Sequence, residues 1–207
     1  MPVLRLGMVV ACIVAAGCAS RSQTVATPQG VAEPAAHHHM PDLPATAGPG
    51  FTAADVRFMQ HMIGHHAQAV RMAALAPSNG ASDGVVRLAR KIGISQRDEI
   101  VMMKNWLAER RQEVPDEAHA QHAMMMPGML TDEQFAQLGA ARGREFDRLF
   151  LTLMTRHHEG ALQMVRELFR TPGAGQEPDI FRFATDVDAD QRDELVVMER
   201  LLHALPD

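Results

Sequence analysis

Two adjacent histidine pairs are the residues of this chain best suited to chemistry. The pairs His65–His66 and His157–His158 lie 92 residues apart, and each has a methionine three residues before its first histidine and another seven residues after it. On an α-helix these spacings bring thioether and imidazole groups to one face. Imidazole and thioether are ligands that suit copper. The repeated pattern therefore predicts a transition-metal site, with copper as the first candidate.

A second repeated string accompanies each histidine pair. Gln96-Arg97-Asp98-Glu99 follows the first pair and Gln191-Arg192-Asp193-Glu194 follows the second. In both strings the Gln and the Glu interrupt the apolar stripe of a predicted helix. Burying a carboxylate is costly unless it is paired or binds a cation, so we expect Glu99 and Glu194 to face the histidines. They would bind the metal or accept an imidazole N–H and fix its tautomer.

The candidate core ligands are the repeated His, Met and Glu side chains. They are Met62, His65, His66, Met72, Glu99, Met103, Met154, His157, His158, Met164, Glu194 and Met198. His61 is a further candidate, but Leu153 stands at the corresponding position of the second copy, so the two sites cannot be identical. Adjacent helical positions point about 100° apart, so the spacing leaves open which histidine of each pair faces inward.

Two further tracts carry potential metal ligands. They are His37, His38, His39 and Met40, and then His119, His122, Met124, Met125 and Met126. The first tract is either a mobile segment that captures metal or a solvated linker. The second is either a Met/His copper site of its own or a connector whose methionines rest on the folded domain.

Composition narrows the classes of function. The chain has 207 residues, with 11 His, 15 Met and 2 Cys, and 4% aromatic residues. Methionine fills helical cores where aromatic residues are scarce, which explains part of its excess without a metal. The net charge is −5 and the basic residues form no stripe, which argues against nucleic-acid binding. No nucleophile–base pair, phosphate-binding loop or redox Cys motif indicates another enzyme class.

The N-terminus has the features of an export signal. Arg5 precedes an apolar run that is too short to span a bilayer as a mature helix, and small residues lead into Cys18. This pattern resembles a bacterial lipoprotein signal, which predicts removal of residues 1–17 and a lipid-anchored Cys18 at the cell envelope. An ordinary secretory signal is the alternative. Residues 18–50 are rich in Ala, Pro, Gly, Ser and Thr and predict a flexible tether.

Residues 51–205 predict an all-α domain. Apolar periodicity and capping signals place helices at about Thr52–Ala76, Asp83–Arg111, Thr131–Arg170 and Asp179–Ala204. They form one hairpin over 51–112 and a second over 131–205, joined by a Met/His-rich connector at 113–130. The expected architecture is an antiparallel four-helix bundle built from two repeated hairpins.

The two repeated strings also resemble those of the DUF305 family of secreted and lipid-anchored bacterial proteins. The strings that carry the resemblance are Phe58-Met59-x2-Met62-Ile63-x-His65-His66-x2-Ala69-x2-Met72-Ala73 and Gln96-x2-Glu99-Ile100-x2-Met103-x2-Trp106-Leu107. The resemblance covers about residues 51–202. It implies a ferritin-like four-helix bundle, and, because CopM-type members are associated with copper binding and resistance, it implies metal ions as partners.

The sequence is compatible with three functions. The first is a non-enzymatic envelope lipoprotein that sequesters or hands on copper, with metal ions and the membrane as its partners and homo-oligomerisation left open. The second is a structural or interaction protein whose His–Glu network only specifies the bundle, since buried polar groups find partners without metal. The third is a di-iron-type oxidase, which the repeated core disfavours because it contains no Glu-x2-His motif.

Overall fold

The described part of the chain is almost entirely helical. The computed structural model describes residues 46–48, 50–116 and 126–206. Its helices are α1 (Ala53–Leu75), α2 (Asp83–Glu109), α3 (Asp132–Ala140), α4 (Gly143–Arg170) and α5 (Pro178–His203). Two short antiparallel strands, β1 (Thr46–Gly48) and β2 (Phe51–Thr52), precede α1. Within these ranges no helix is both long and apolar enough to cross a bilayer.

The start of α1 is held by a capping box. Thr52 Oγ1 accepts a hydrogen bond from the Asp55 backbone N–H, and Asp55 Oδ2 accepts one from the Thr52 backbone N–H. Asp55 is buried, and its Oδ1 also accepts the Gly175 N–H at 2.7 Å. The first turn of α1 is therefore tied to the loop between α4 and α5.

The prediction of one helix over Thr131–Arg170 is wrong in its first part, because α3 and α4 are separate helices. Ala141 and Arg142 between them are extended, with ψ of 151° and 150°. Asn79, in the α1–α2 loop, is one of two side chains that satisfy the free carbonyls at the break. Its side-chain amide donates to the carbonyl oxygens of Leu138, Gly139 and Ala141. The Arg142 guanidinium donates to the carbonyl oxygens of Gly139, Ala140 and Ala141. Because both side chains satisfy the last carbonyls, α3 ends there, and α4 begins afresh at Gly143, whose φ is +54°.

The long helices form two hairpins that pack on each other. Helix α1 packs on α2 and α4 packs on α5, while α1 also contacts α4 and α2 contacts α5. The predicted apolar stripes of these helices are buried. They build two apolar clusters, the first around Phe58, Met62 and Met103 and the second around Phe146 and Met154. The clusters occupy opposite halves of each long helix, and the two repeated strings lie between them.

Candidate metal centre

A layer of polar side chains separates the two apolar clusters, and we call it the polar layer. It consists of His65, His66, Gln96, Glu99, His157, His158, Gln191 and Glu194. All four histidines are 0% exposed, so both members of each pair are buried. Of the eight side chains only Glu99 reaches solvent to any extent, at 15% exposure. The helical stripes thus bring both repeated strings to one depth in the core.

Within each hairpin the second histidine of the pair bonds to the glutamate. His66 Nε2 lies 2.6 Å from Glu99 Oε2, and His158 Nε2 lies 2.8 Å from Glu194 Oε2. Ser95 Oγ donates to the other oxygen of Glu99 at 3.1 Å. Burial raises the pKa of Glu99, but the hydrogen bonds from His66 and Ser95 outweigh it, so that the pKa lies below its usual value. An ionised glutamate requires a proton on the imidazole Nε2, which leaves the lone pair of a neutral ring on Nδ1.

The first histidines of the two pairs meet across the interface of the hairpins. The His65 and His157 rings have centroids 3.9 Å apart and planes tilted by 43°. His65 Nε2 lies 3.0 Å from the Pro127 carbonyl oxygen, so it is the donor and its Nδ1 carries the lone pair. Burial, reinforced by repulsion from His66, lowers the pKa of His65 to about 3. Burial also lowers the pKa of His157 well below its usual value. Both rings are therefore neutral near pH 7.

The polar layer contains buried atoms that no other described residue satisfies. Nδ1 of all four histidines, Nε2 of His157 and both amide atoms of Gln96 and Gln191 have no hydrogen-bond partner among the described residues. Each such atom costs about 1–3 kcal/mol when it stays unpaired. A neutral imidazole nitrogen with a free lone pair is a metal ligand, so the donor chemistry of the layer fits a transition metal.

The same layer does not present a ready-made site of nitrogen and oxygen ligands alone. The described residues contain no group of three or more His, Cys, Asp or Glu side chains that converge as a metal site. An ion in the layer would therefore draw on the thioethers of the neighbouring clusters.

The predicted methionine ligands are divided between the two apolar clusters. Met62, Met103 and Met164 belong to the first cluster, and Met72, Met154 and Met198 to the second. Met62 and Met154 are one helical turn from His65 and His157 and lie nearest to the polar layer along the chain. Met72 and Met164 follow those histidines by seven residues, which is about 10 Å along a helix axis. The repeat thus places methionine on both sides of the layer, at two distances from it.

His61 lies apart from the polar layer. It is half-buried and lines a separate surface cavity of about 170 Å³ together with Arg57, Met164 and Glu167. Burial and the nearby Arg57 charge lower the pKa of His61. Its position agrees with its lack of a counterpart in the second half of the sequence.

The C-terminal end of the connector, residues 126–130, packs over the His65–His157 contact. The sequence patterns did not predict this packing. Gln68 donates to the Leu130 carbonyl at 3.0 Å and accepts the Leu130 N–H at 2.8 Å. Gly128 has a φ of +78° and lies directly against Gly160 of α4. This close contact presents the Pro127 carbonyl to His65. One sequence feature could have indicated this packing. Gln68 is a polar residue on a buried helix face, and the 92-residue offset aligns it with Gly160.

We expect Gly160→Ala to destabilise the fold by about 2 kcal/mol, because the added Cβ would clash with the Pro127 oxygen. Chemical denaturation measures the change. Gly139→Ala is the control, since nothing lies within 4 Å of the position that its added methyl group would take and alanine favours the helix. Equal effects of the two substitutions would show that the connector does not seal the histidine pair.

Several predicted ligands lie outside the described residues. These are His37, His38, His39, Met40, His119, His122, Met124 and Met125, together with the predicted lipidation site Cys18. Met126 is described, and it is buried at 7% exposure in the first apolar cluster.

The sequence matches a family model described as a domain of unknown function, DUF305, over residues 55–202. The chain belongs to the DUF305 family. A DUF305 fragment from Deinococcus radiodurans is 34% identical, with a TM-score of 0.66 over 76% of this chain and 100% of that one. A DUF305 protein from Streptomyces coelicolor, designated a secreted protein, is 30% identical, with a TM-score of 0.63 over 77% and 94%.

CopM in its Cu(II)-bound form is also similar, at 26% identity and a TM-score of 0.61 over 72% of this chain and 95% of that one. CopM has further been solved in Cu(I)-bound and Ag-bound forms. The comparison with curated proteins found no match. The predicted family resemblance is thus confirmed, and the CopM structures suggest a copper-related role for this DUF305 protein.

Proposed function

We propose that this DUF305 protein is an exported, non-enzymatic metal binder that sequesters or hands on copper. The observation that carries the proposal is the set of four buried imidazoles whose Nδ1 atoms have no hydrogen-bond partner among the described residues. Buried nitrogen donors beside methionine clusters suit a soft ion such as Cu(I). The similarity to a protein solved with Cu(II), Cu(I) and Ag supports the same metal class.

The ligands would come from the polar layer and from the methionines nearest to it. His65 and His157, with Met62 and Met154 one turn away, are the central donors. Glu99 and Glu194 would hold the second histidines in the tautomer that leaves Nδ1 as the donor. The remaining candidate ligands of the core are Met72, Met103, Met164 and Met198.

We further propose the finer features that the sequence indicates. Helices α1, α2, α4 and α5 would form a ferritin-like four-helix bundle, with α3 as an addition to it. Residues 1–17 would be a signal peptide and Cys18 the lipid anchor, with 18–50 as the tether to the membrane. The His37–Met40 and His119–Met126 tracts would capture metal ions at lower affinity.

Copper binding is tested by titrating the purified protein with Cu(I) in competition with a chelator of known affinity. We expect the double variant His65→Gln, His157→Gln to lose about 100-fold in Cu(I) affinity, because the central donors are removed. His203→Gln is the control, as His203 is an exposed histidine at the end of α5. A wild-type protein that binds Cu(I) no more tightly than the double variant would refute the proposed function.

A structural role is the second candidate, favoured by the His–Glu bonds of 2.6 and 2.8 Å, which already satisfy both glutamates in part. Under this alternative the same double variant changes stability but leaves the metal tolerance of cells unchanged. A di-iron oxidase has less support. The polar layer contains two carboxylates, whereas such sites use about four. Iron loading with oxygen consumption would establish it.

A further inference from the structure

The internal repeat gives the two His–Glu pairs different electrostatic surroundings. Glu99 and Glu194 are equivalent positions, 95 residues apart in the two repeated strings. The same offset aligns Lys91 on α2 with Asp186 on α5. Each of these two residues lies two helical turns before the glutamate of its own string. A cation in one copy of the repeat therefore corresponds to an anion in the other.

Beside Glu194 the repeat places an ammonium group. Lys91 Nζ lies 3.3 Å from Glu194 Oε1, across the contact between α2 and α5. This contact is an ion pair without hydrogen-bond geometry, since no donor is aligned with Oε1. The other oxygen, Oε2, is held by His158. Glu194 is 3% exposed, so Lys91 covers the outer side of this carboxylate and balances its charge.

Beside Glu99 the surroundings are acidic and open. Glu99 forms part of the wall of a surface cavity of about 320 Å³ between α2 and α5. Asp98, Asp186 and Asp190 line the same cavity, and none of its lining residues is a lysine or arginine. Burial and then the charge of Glu99 raise the pKa of Asp190, while the charge of Lys91 partly offsets them. Asp190 thus lies within electrostatic reach of both glutamates and of Lys91, and Lys91 makes its ion pair with Glu194. Glu99 thus connects a negatively charged opening with His66 in the polar layer.

We propose that the Lys91 ammonium, held against Glu194, takes the place of a metal cation beside the His158–Glu194 pair. Soft metal ions therefore reach the polar layer past Glu99 and bind at the His66–Glu99 pair before they bind at the His158–Glu194 pair. An incoming cation is attracted by the carboxylates around Glu99 and repelled by the ammonium beside Glu194. Lys91 thereby makes two similar halves unequal in metal binding. This inference rests on the proposed function, and it identifies a residue that determines where the ion binds.

The test is a titration of the full protein with Ag(I), a redox-inert soft cation, followed by histidine side-chain ¹⁵N NMR. The Nδ1 signals of His66 and His158 report on the two pairs separately, so binding at the His-rich tracts does not confuse the result. In the wild type we expect the His66 signal to shift at a silver concentration at least about 10-fold lower than the His158 signal. In Lys91→Met the two signals should shift together.

Arg87→Met is the matched control, because it removes one positive charge from the exposed side of α2 one turn before Lys91. It should keep the wild-type order. The repeat also provides the converse variant, Asp186→Lys, which should delay the His66 signal, with the nearby Asp188→Lys as its control.

The outcomes separate the two proposals. The role of Lys91 would be overturned if the His66 and His158 signals shifted together in the wild type. It would also be overturned if Lys91→Met and Arg87→Met changed the order of the two shifts equally. Either result would leave metal binding intact. If silver shifts the signals of none of the four histidines of the polar layer in any variant, the proposed function fails and this inference fails with it. A shift confined to His65 and His157 would overturn the role of Lys91 alone.

Discussion

Acidification below pH 6.5 is expected to destabilise the protein by about 1.4 kcal/mol per pH unit for each of His65 and His157. Burial lowers the pKa of His65 to about 3 from an ordinary value of 6.5, and it lowers the pKa of His157 in the same direction. Below 6.5 the unfolded chain takes up protons at these histidines and the native protein does not. The stabilisation is complete above pH 6.5 and is lost progressively as the pH falls towards the native pKa.

Urea denaturation at about pH 7.5 and pH 5 measures this effect, with an expected loss of about 2 kcal/mol from His65 and a further loss of the same sign from His157. Glu99 adds little in this window, because a lowered carboxyl pKa removes stability only as the pH falls below its unfolded value of 4.5. The double variant His65→Gln, His157→Gln should lose most of the pH dependence, and His203→Gln should retain it. A wild-type free energy of unfolding that is flat over this range would mean that the two rings are not buried in neutral form.

The second large effect is expected for Glu194→Ala, which should cost about 3 kcal/mol of unfolding free energy. The substitution removes the acceptor of the buried His158 N–H and the partner of Lys91, and it opens a cavity where the glutamate side chain is 3% exposed. Glu99→Ala should cost clearly less, since the Glu99 side chain is 15% exposed and water can replace it.

Chemical denaturation of both variants near pH 7 measures this difference. Glu199→Ala is the control on the same helix, because the Glu199 side chain is 71% exposed and makes only a long contact of 3.9 Å with His203. Costs that are equal for Glu99→Ala and Glu194→Ala would contradict the electrostatic and steric difference between the two halves.

Much of the candidate site follows from local rules. A period of 3.6 residues assigns Glu99, Glu194 and at least one histidine of each pair to the inner faces of long helices. The cost of burying a carboxylate then requires each glutamate to find a histidine. The structure places His66 against Glu99 and His158 against Glu194. Helix periodicity could not decide which histidine of a pair is buried, and in the structure both are, because α1 and α4 each contact two other long helices.

The break between α3 and α4 does not follow from the apolar periodicity of the sequence. The apolar periodicity allows one helix through Ala141 and Arg142. The break is stabilised locally by Arg142 and by Gly143 with its positive φ, and also by Asn79, some 60 residues earlier in the chain. A distant side chain that satisfies the last carbonyls of α3 makes the extended link favourable. Sequence periodicity contains no information about such a partner.

The sequence alone therefore determined the four long helices apart from the break before α4, the internal repeat and the pairing of histidine with glutamate within each hairpin. These features depend on periodicity and on the cost of burying charge. Only the tertiary structure decided how the hairpins meet. It brings the His65 and His157 rings into contact, places the Pro127 carbonyl against His65 and sets Lys91 against Glu194. These contacts join residues far apart in the chain, and their geometry depends on the register between packed helices, which no local pattern specifies.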